Sequence, residues 1–139
     1  MKLSVKSDYA ARALLSLARK HHLGRPTKVE ELAGEHGIPP NYLVQILIEL
    51  KAAGLVRSQR GKQGGYLLAK PPKDISMADV LRTVHGEVFE SPAAQDPRCP
   101  LELREAWLAI SQSVEETAEN ITLQKILDDY EKRSGMYYI

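Results

Sequence analysis

The chain has 139 residues, 43% hydrophobic and 27% charged, with one cysteine and a formal net charge of +1 at pH 7. That composition excludes wholesale disorder and allows one modest core. No apolar run approaches the roughly 18 residues that span a bilayer, and a single cysteine rules out an intramolecular disulfide framework. No secretory leader precedes the first helical pattern, so a cytoplasmic protein with no membrane partner is expected.

The near-neutral total hides two unlike halves. Residues 1–73 carry 13 Lys and Arg against 5 Asp and Glu, a balance of +8; residues 74–139 carry 6 against 13, a balance of −7. Such asymmetry points to nucleic acid at the basic end. The acidic half, which phosphates repel, should point away.

Ser7 or Asp8 is placed to cap a first helix reaching about His21, with Tyr9, Ala13, Leu14, Leu17 and Ala18 at three/four spacing. Gly24-Arg25-Pro26 breaks it. Thr27-Lys28-Val29-Glu30 has capping-box spacing, with Thr27 as N-cap and Glu30 reaching back, for a second helix ending near Gly37. Ile38-Pro39-Pro40 forms a tight turn, and Pro40 opens a third helix to about Ala53. Leu43, Ile46, Leu47 and Leu50 face inward along it, and Gly54 stops it.

Gly54–Leu68 then reads as a short strand, a glycine-rich basic tip and a second short strand. Leu55-Val56 and Leu67-Leu68 flank a tip too polar to pack, Gly61, Gly64 and Gly65 let the chain turn sharply, and Arg57, Arg60 and Lys62 project from it. Helix, tight turn, helix and basic hairpin, in that order, predict a winged helix-turn-helix.

Pro71-Pro72 ends the wing. Ser76-Met77-Ala78-Asp79 opens a fourth helix closing at Gly86, with Val80, Leu81 and Val84 as its buried set. Residues 87–100 hold three prolines and few apolar side chains, the composition of a linker or exposed loop. A longer helix runs from about Leu101 to Ala118, carrying Leu103, Trp107, Ile110, Val114 and Ala118 as one apolar stripe. A small winged helix has no core left to cover that stripe, so a second copy of the chain is expected on it; the alternative is a fold-back onto its own domain. Thr122 caps a last helix through Leu123, Ile126, Leu127 and Tyr130 that Ser134-Gly135 ends. The expected fold is therefore mainly α with a small β-wing. A winged helix-turn-helix domain spans 1–86, a linker loop 87–100, and 101–139 holds the dimerisation helix, final helix and C-terminal tail.

In such a domain the first turn of the third helix lies nearest the bases. Asn41 and Gln45 can pair bidentately with adenine, and Val44 can pack on a thymine methyl. Tyr42, and Lys28 at the start of the preceding helix, suit phosphates. Arg60 and Lys62 belong to the wing, with Gln63 in reach of a minor groove. A homodimer would read a palindromic operator in double-stranded DNA, with steep salt dependence. Catalysis is not expected: His21, His22, His36 and His85 are scattered with no nucleophile and base spacing, and Gly61-Lys62 lacks a phosphate-binding loop. A winged-helix interaction module that never binds DNA is the remaining alternative.

Met1–Ala10, Tyr42-Leu43-Val44-Gln45, Arg60-Gly61 with Gly64-Gly65-Tyr66, Ala78-Asp79-Val80-Leu81 with Gly86, and Ile121-Thr122-Leu123 together resemble the IscR/NsrR/CymR family of bacterial repressors. The resemblance covers nearly the whole chain. It implies a homodimeric winged-helix transcription factor whose long helix builds the dimer through Leu103, Trp107, Ile110 and Val114. Many members carry glutamate where this chain has Val44, which alters any base preference carried over. Cluster-binding members place three cysteines between the fourth and the long helix, where this chain has Cys99 alone. The expectation is no metal site and no iron–sulfur cluster. The alternatives are a mixed-ligand site drawing on Asp8, His85 or Glu87, and a redox-sensitive Cys99 beside Arg98. The ending Met136-Tyr137-Tyr138-Ile139 resembles that of the cluster-free branch that controls cysteine metabolism. The resemblance implies docking of Tyr137, Tyr138 and Ile139 into cysteine synthase, in competition with O-acetylserine, the terminal carboxylate caught by backbone N–H groups.

Overall fold

The computed structural model describes residues 2–136. Helix α1 spans Val5–Arg19, and Ser4 caps it, its Oγ accepting the Ser7 N–H at 3.1 Å. The helix thus starts earlier than a Ser7 or Asp8 cap would allow, and Ser7 is buried inside it. It also stops at Arg19, with His21–Leu23 forming a separate 3₁₀ turn.

Helix α2 spans Val29–His36 and has no side-chain cap; Lys28 occupies the cap position. The capping box expected of Thr27 and Glu30 does not form. Thr27 is buried and paired through its backbone: its N–H donates to Tyr66 O at 2.9 Å, and Tyr66 N–H donates to Thr27 O at 2.8 Å. Gly37, in the left-handed region at φ 65°, turns the chain into α3, Pro40–Ala52, with proline in its first turn.

Strands β1, Val56–Gln59, and β2, Gly65–Leu68, pair antiparallel in a register that sets Val56 opposite Leu68 and Gln59 opposite Gly65. The core lies between α1, α2 and α3. Leu14, Leu32, Leu43, Ile46, Leu47 and Leu50 are fully buried there, and Leu55, Val56 and Leu68 at the wing's base close over them. At roughly 1.5–3 kcal/mol for each large side chain fully buried, this cluster is the main driving force of the domain.

Helix α4, Met77–His85, carries a true capping box: Ser76 Oγ accepts the Asp79 N–H, and Asp79 Oδ2 accepts the Ser76 N–H. Ala78 and Val80 are its buried residues, whereas the expected Leu81 and Val84 are only half-buried. Leu81 lines a cavity instead of filling the core. After a loop containing one 3₁₀ turn, Pro92–Gln95, helix α5 runs Leu101–Asn120, longer than expected by two residues. Its 20 residues span about 30 Å. Arg82 of α4 holds it through Glu115, at 3.2 Å, and Glu119.

Helix α6, Leu123–Met136, begins with Thr122 Oγ1 accepting the Lys125 N–H and continues past Ser134-Gly135, its expected end. The link between α5 and α6 is stitched to the segment ahead of α4: Met77 N–H donates to Ile121 O, and Leu123 N–H to Ile75 O. Leu123 is fully buried and Leu127 packs on the core. Farther along, the Arg19 guanidinium lies over the Tyr130 ring at 4.8 Å. So α6 returns to α1. No helix among the described residues is long and apolar enough to cross a membrane.

The Thr27–Tyr66 bridge needs a bare backbone beside it, since a Cβ on Gly65 would stand 2.4 Å from Thr27 O. Gly65→Ala should therefore destabilise the fold by about 1–3 kcal/mol, as overpacking does. Urea unfolding followed by circular dichroism checks this, and an unchanged midpoint would show the bridge to be dispensable.

Candidate nucleic-acid interface

The sequence places an amphipathic helix on top of the core, and its outward side is the site. With Leu43, Ile46, Leu47 and Leu50 turned inward, α3 exposes Asn41, Tyr42, Gln45 and Ile48, while Val44 is half-buried. Two contacts from α1 fix how this helix sits. Lys6 Nζ lies 2.7 Å from the Glu49 carboxylate, and the Tyr9 ring meets Tyr42 edge-on with centroids 5.9 Å apart. At the other end Lys51 Nζ donates to Ser58 Oγ of β1 at 2.8 Å, tying α3 to the wing.

Ile48 is absent from the residues that sequence reasoning selected. It is 50% exposed, three positions beyond Gln45 and seven beyond Asn41. That spacing puts it on their stripe. The spacing was the signal in the sequence that could have found it.

Arg57, Arg60, Lys62 and Gln63 are all exposed on the wing, and Lys28 is exposed at the start of α2. The Thr27–Tyr66 bridge brings the two together. Lys28 and Gln63 share one cleft of about 500 Å³ with Lys20, Arg25 and Gly64. Arg25 is a second residue the sequence reading passed over, as part of a helix-breaking turn. Backbone N–H groups at the uncapped start of α2 have no side-chain acceptor, so they add anion affinity there.

Three cations of the basic half have carboxylate partners among the described residues. Lys6, Arg12 and Lys20 are each in an ion pair. Lys20 sits between Glu31 and Glu35, and its ammonium, helped by Ser16, holds the Glu35 carboxyl below the usual carboxylate range. Among the described residues Lys28, Arg57, Arg60 and Lys62 pair with no carboxylate. Their charge is available to an external anion.

Elsewhere the stripe on α5 is open. Leu103 is 46% exposed, Trp107 38% and Ile110 46%, Val114 is half-buried, and only Ala118 is buried. Cys99 is half-buried in the loop before α5; Arg104 donates to its carbonyl and to that of Asp96. Asp8 is paired with Arg12, and His85 bonds Ser7. Among the described residues no three His, Cys, Asp or Glu side chains gather closely enough to hold a metal ion. Tyr137, Tyr138 and Ile139 lie outside the described residues.

An exposed second helix of a helix-turn-helix, backed by a hairpin of uncommitted cations, defines a winged-helix DNA-binding transcription regulator. The chain belongs to the Rrf2 family, described as an iron-dependent transcriptional regulator, whose family model matches residues 3–129. It is similar to the HTH-type transcriptional regulator CymR of Bacillus subtilis strain 168, 34% identical over 141 residues that take in all of both chains. The solved structure of that protein, the global cysteine regulator of B. subtilis, covers 91% of this chain and 95% of its own with a TM-score of 0.81 and 31% identity. T. potens IscR superimposes over 96% of this chain and 90% of its own, with a TM-score of 0.78 and 32% identity. The chain is accordingly a transcription regulator and not an enzyme.

Proposed function

We propose that two copies of the chain form a repressor that inserts α3 into successive major grooves of a palindromic operator. In this reading Asn41 and Gln45 meet base edges, Val44 and Ile48 pack on thymine methyls, and Tyr42 and Lys28 bond phosphates. Arg60, Lys62 and Gln63 of the wing flank the adjoining groove. The observation that carries it is a group of exposed cations, Lys28 at the start of α2 and Arg57, Arg60 and Lys62 on the wing, that have no carboxylate partner among the described residues. Arg60→Ala and Lys62→Ala should each weaken binding uniformly across sequences and lower the slope of log K against log salt by about 0.9. Gln45→Ala should cost about 1–3 kcal/mol on the preferred site and relax preference at one base pair. Fluorescence anisotropy over a salt series separates the two behaviours, and uniform effects from all three variants would remove Gln45 from base reading.

The dimer rests on α5. A stripe of three large apolar side chains, each more than a third exposed, is left uncovered by the helix's own domain, and a second stripe laid against it would bury them. Trp107→Asp with Ile110→Asp should give a monomer of unchanged helicity that binds operator poorly. Sedimentation velocity reads the mass; a dimer in this variant would move the interface elsewhere.

The regulating signal, in this proposal, does not pass through an iron–sulfur cluster. The chain offers one thiolate, Asp8 and His85 are each engaged by other partners, and clusters are held by several cysteines; the residues present do not fit the iron dependence in the family's description. The similar B. subtilis protein is a cysteine regulator, and the ending Tyr137-Tyr138-Ile139 suits capture of a C-terminal carboxylate in a backbone nest. Both support docking of the tail into cysteine synthase, with O-acetylserine as competitor. Calorimetric titration of the two proteins should show heat that O-acetylserine abolishes and that deletion of Ile139 removes without altering the melting temperature. Heat that persists after the deletion would overturn the docking.

A further inference from the structure

The DNA-binding part of the chain and α5 meet around a cavity of about 400 Å³, within the range of small-molecule sites. Leu3, Leu81, Val88, Phe89 and Val114 give it an apolar floor. Lys2, His85, Glu87 and Glu90 supply its polar lining. Three observations separate it from a packing defect. Leu81, on the face of α4 that the sequence assigns to the core, is held out of the core and lines this space. Glu87 and Glu90, both exposed, take part in no ion pair among the described residues, so the lining holds two uncommitted carboxylates and one lysine. The wall residue His85 is bonded to the start of α1: its Nε2 lies 2.8 Å from Ser7 Oγ and 3.3 Å from Ser4 Oγ.

That last contact gives the cavity a reach beyond itself. Lys6, the residue before Ser7, is the one that holds Glu49 of α3 at 2.7 Å. A single turn of α1 therefore touches the cavity wall on one side and the DNA-facing helix on the other. Ser7 is buried, with Ser4 Oγ and His85 Nε2 both in bonding range of its hydroxyl, so a displaced His85 leaves a buried hydroxyl to find a new arrangement.

We propose that this cavity is an effector site for a small amphipathic amine. The ammonium sits against Glu87 and Glu90, the apolar body lies on Leu81, Phe89 and Val114, and occupancy is carried to α3 through His85, the first turn of α1 and the Lys6–Glu49 pair. The excess of carboxylate over ammonium in the lining selects a cation, and the apolar floor supplies the affinity. The ligand site is independent of the base contacts proposed above, and only its regulatory consequence rests on them; through Val114 it borders the α5 stripe assigned to the dimer.

The test uses the full chain, 2-phenylethylammonium chloride as probe and 2-phenylethanol as its uncharged counterpart. Calorimetry should show the amine binding at least about tenfold more tightly than the alcohol, and Glu87→Gln with Glu90→Gln should erase that difference. Val88→Trp, which fills the space, should abolish binding of both. Amide ¹H–¹⁵N spectra of the DNA-free protein should show amine-dependent shifts at Gln45 and Glu49, and these should vanish in Ser7→Ala while calorimetric binding persists. Equal affinities for the two probes, no heat with the amine, or binding untouched by Val88→Trp would overturn the site. Shifts in α3 that survive Ser7→Ala would overturn the route. None of these readouts involves DNA, so a failed effector site and a failed operator reading give different results.

Discussion

The placement of the wing depends on two backbone hydrogen bonds between Thr27 and Tyr66. They join the start of α2 to the second strand of the hairpin, residues far apart in sequence. Because the bonds are main chain to main chain, no side-chain exchange can restore them once the strands are held apart, and Gly65 leaves the room they need. Everything proposed for the anion-facing side follows from that join. Without it Lys28 and Gln63 would not border one cleft, and the wing would be held only by its buried base, Leu55, Val56 and Leu68, and by the Lys51–Ser58 bond.

Around that join the chain divides its charges by use. Lys6 and Lys20 are consumed in fixing helices to one another, with Glu35 and Glu49 as their partners. The wing cations are left unpaired. On the far side Arg82 plays the inward role for α5: Glu119 and Glu115 raise its already high affinity for its proton and fasten α5 to α4. These surface pairs add little stability individually. Their effect is positional, since they set the angles at which a DNA-facing helix and an apolar stripe are presented.

Much of this was legible in the sequence because it depends on short-range patterning. The three/four spacing of Leu43, Ile46, Leu47 and Leu50 told which side of α3 is buried, and Ser76-Met77-Ala78-Asp79 marked where α4 opens. What was illegible depends on distant partners. Thr27 and Glu30 had the same spacing as Ser76 and Asp79, yet Thr27 is claimed by a strand nearly forty residues away. Ser7 looked like a cap, but His85 takes its hydroxyl and Ser4 does the capping. Leu81 was expected to be buried, and Ile48 was passed over. Hydrophobic spacing reports which residues avoid water, not whether a core, a cavity or another molecule provides the shelter.

The return of α6 onto α1 fixes the direction in which this last helix runs. Tyr130 is stacked under Arg19, and the two border a separate cleft with His21, His22 and Pro72. Beyond Tyr130 the helix continues for six residues to Met136, about 9 Å as a rigid rod. Met136 therefore stands at the tip of a short lever whose fulcrum is the last turn of α1. The number of residues in that rod acts as a gauge block: one residue more or fewer would turn the side chain at its end by about 100° around the helix axis.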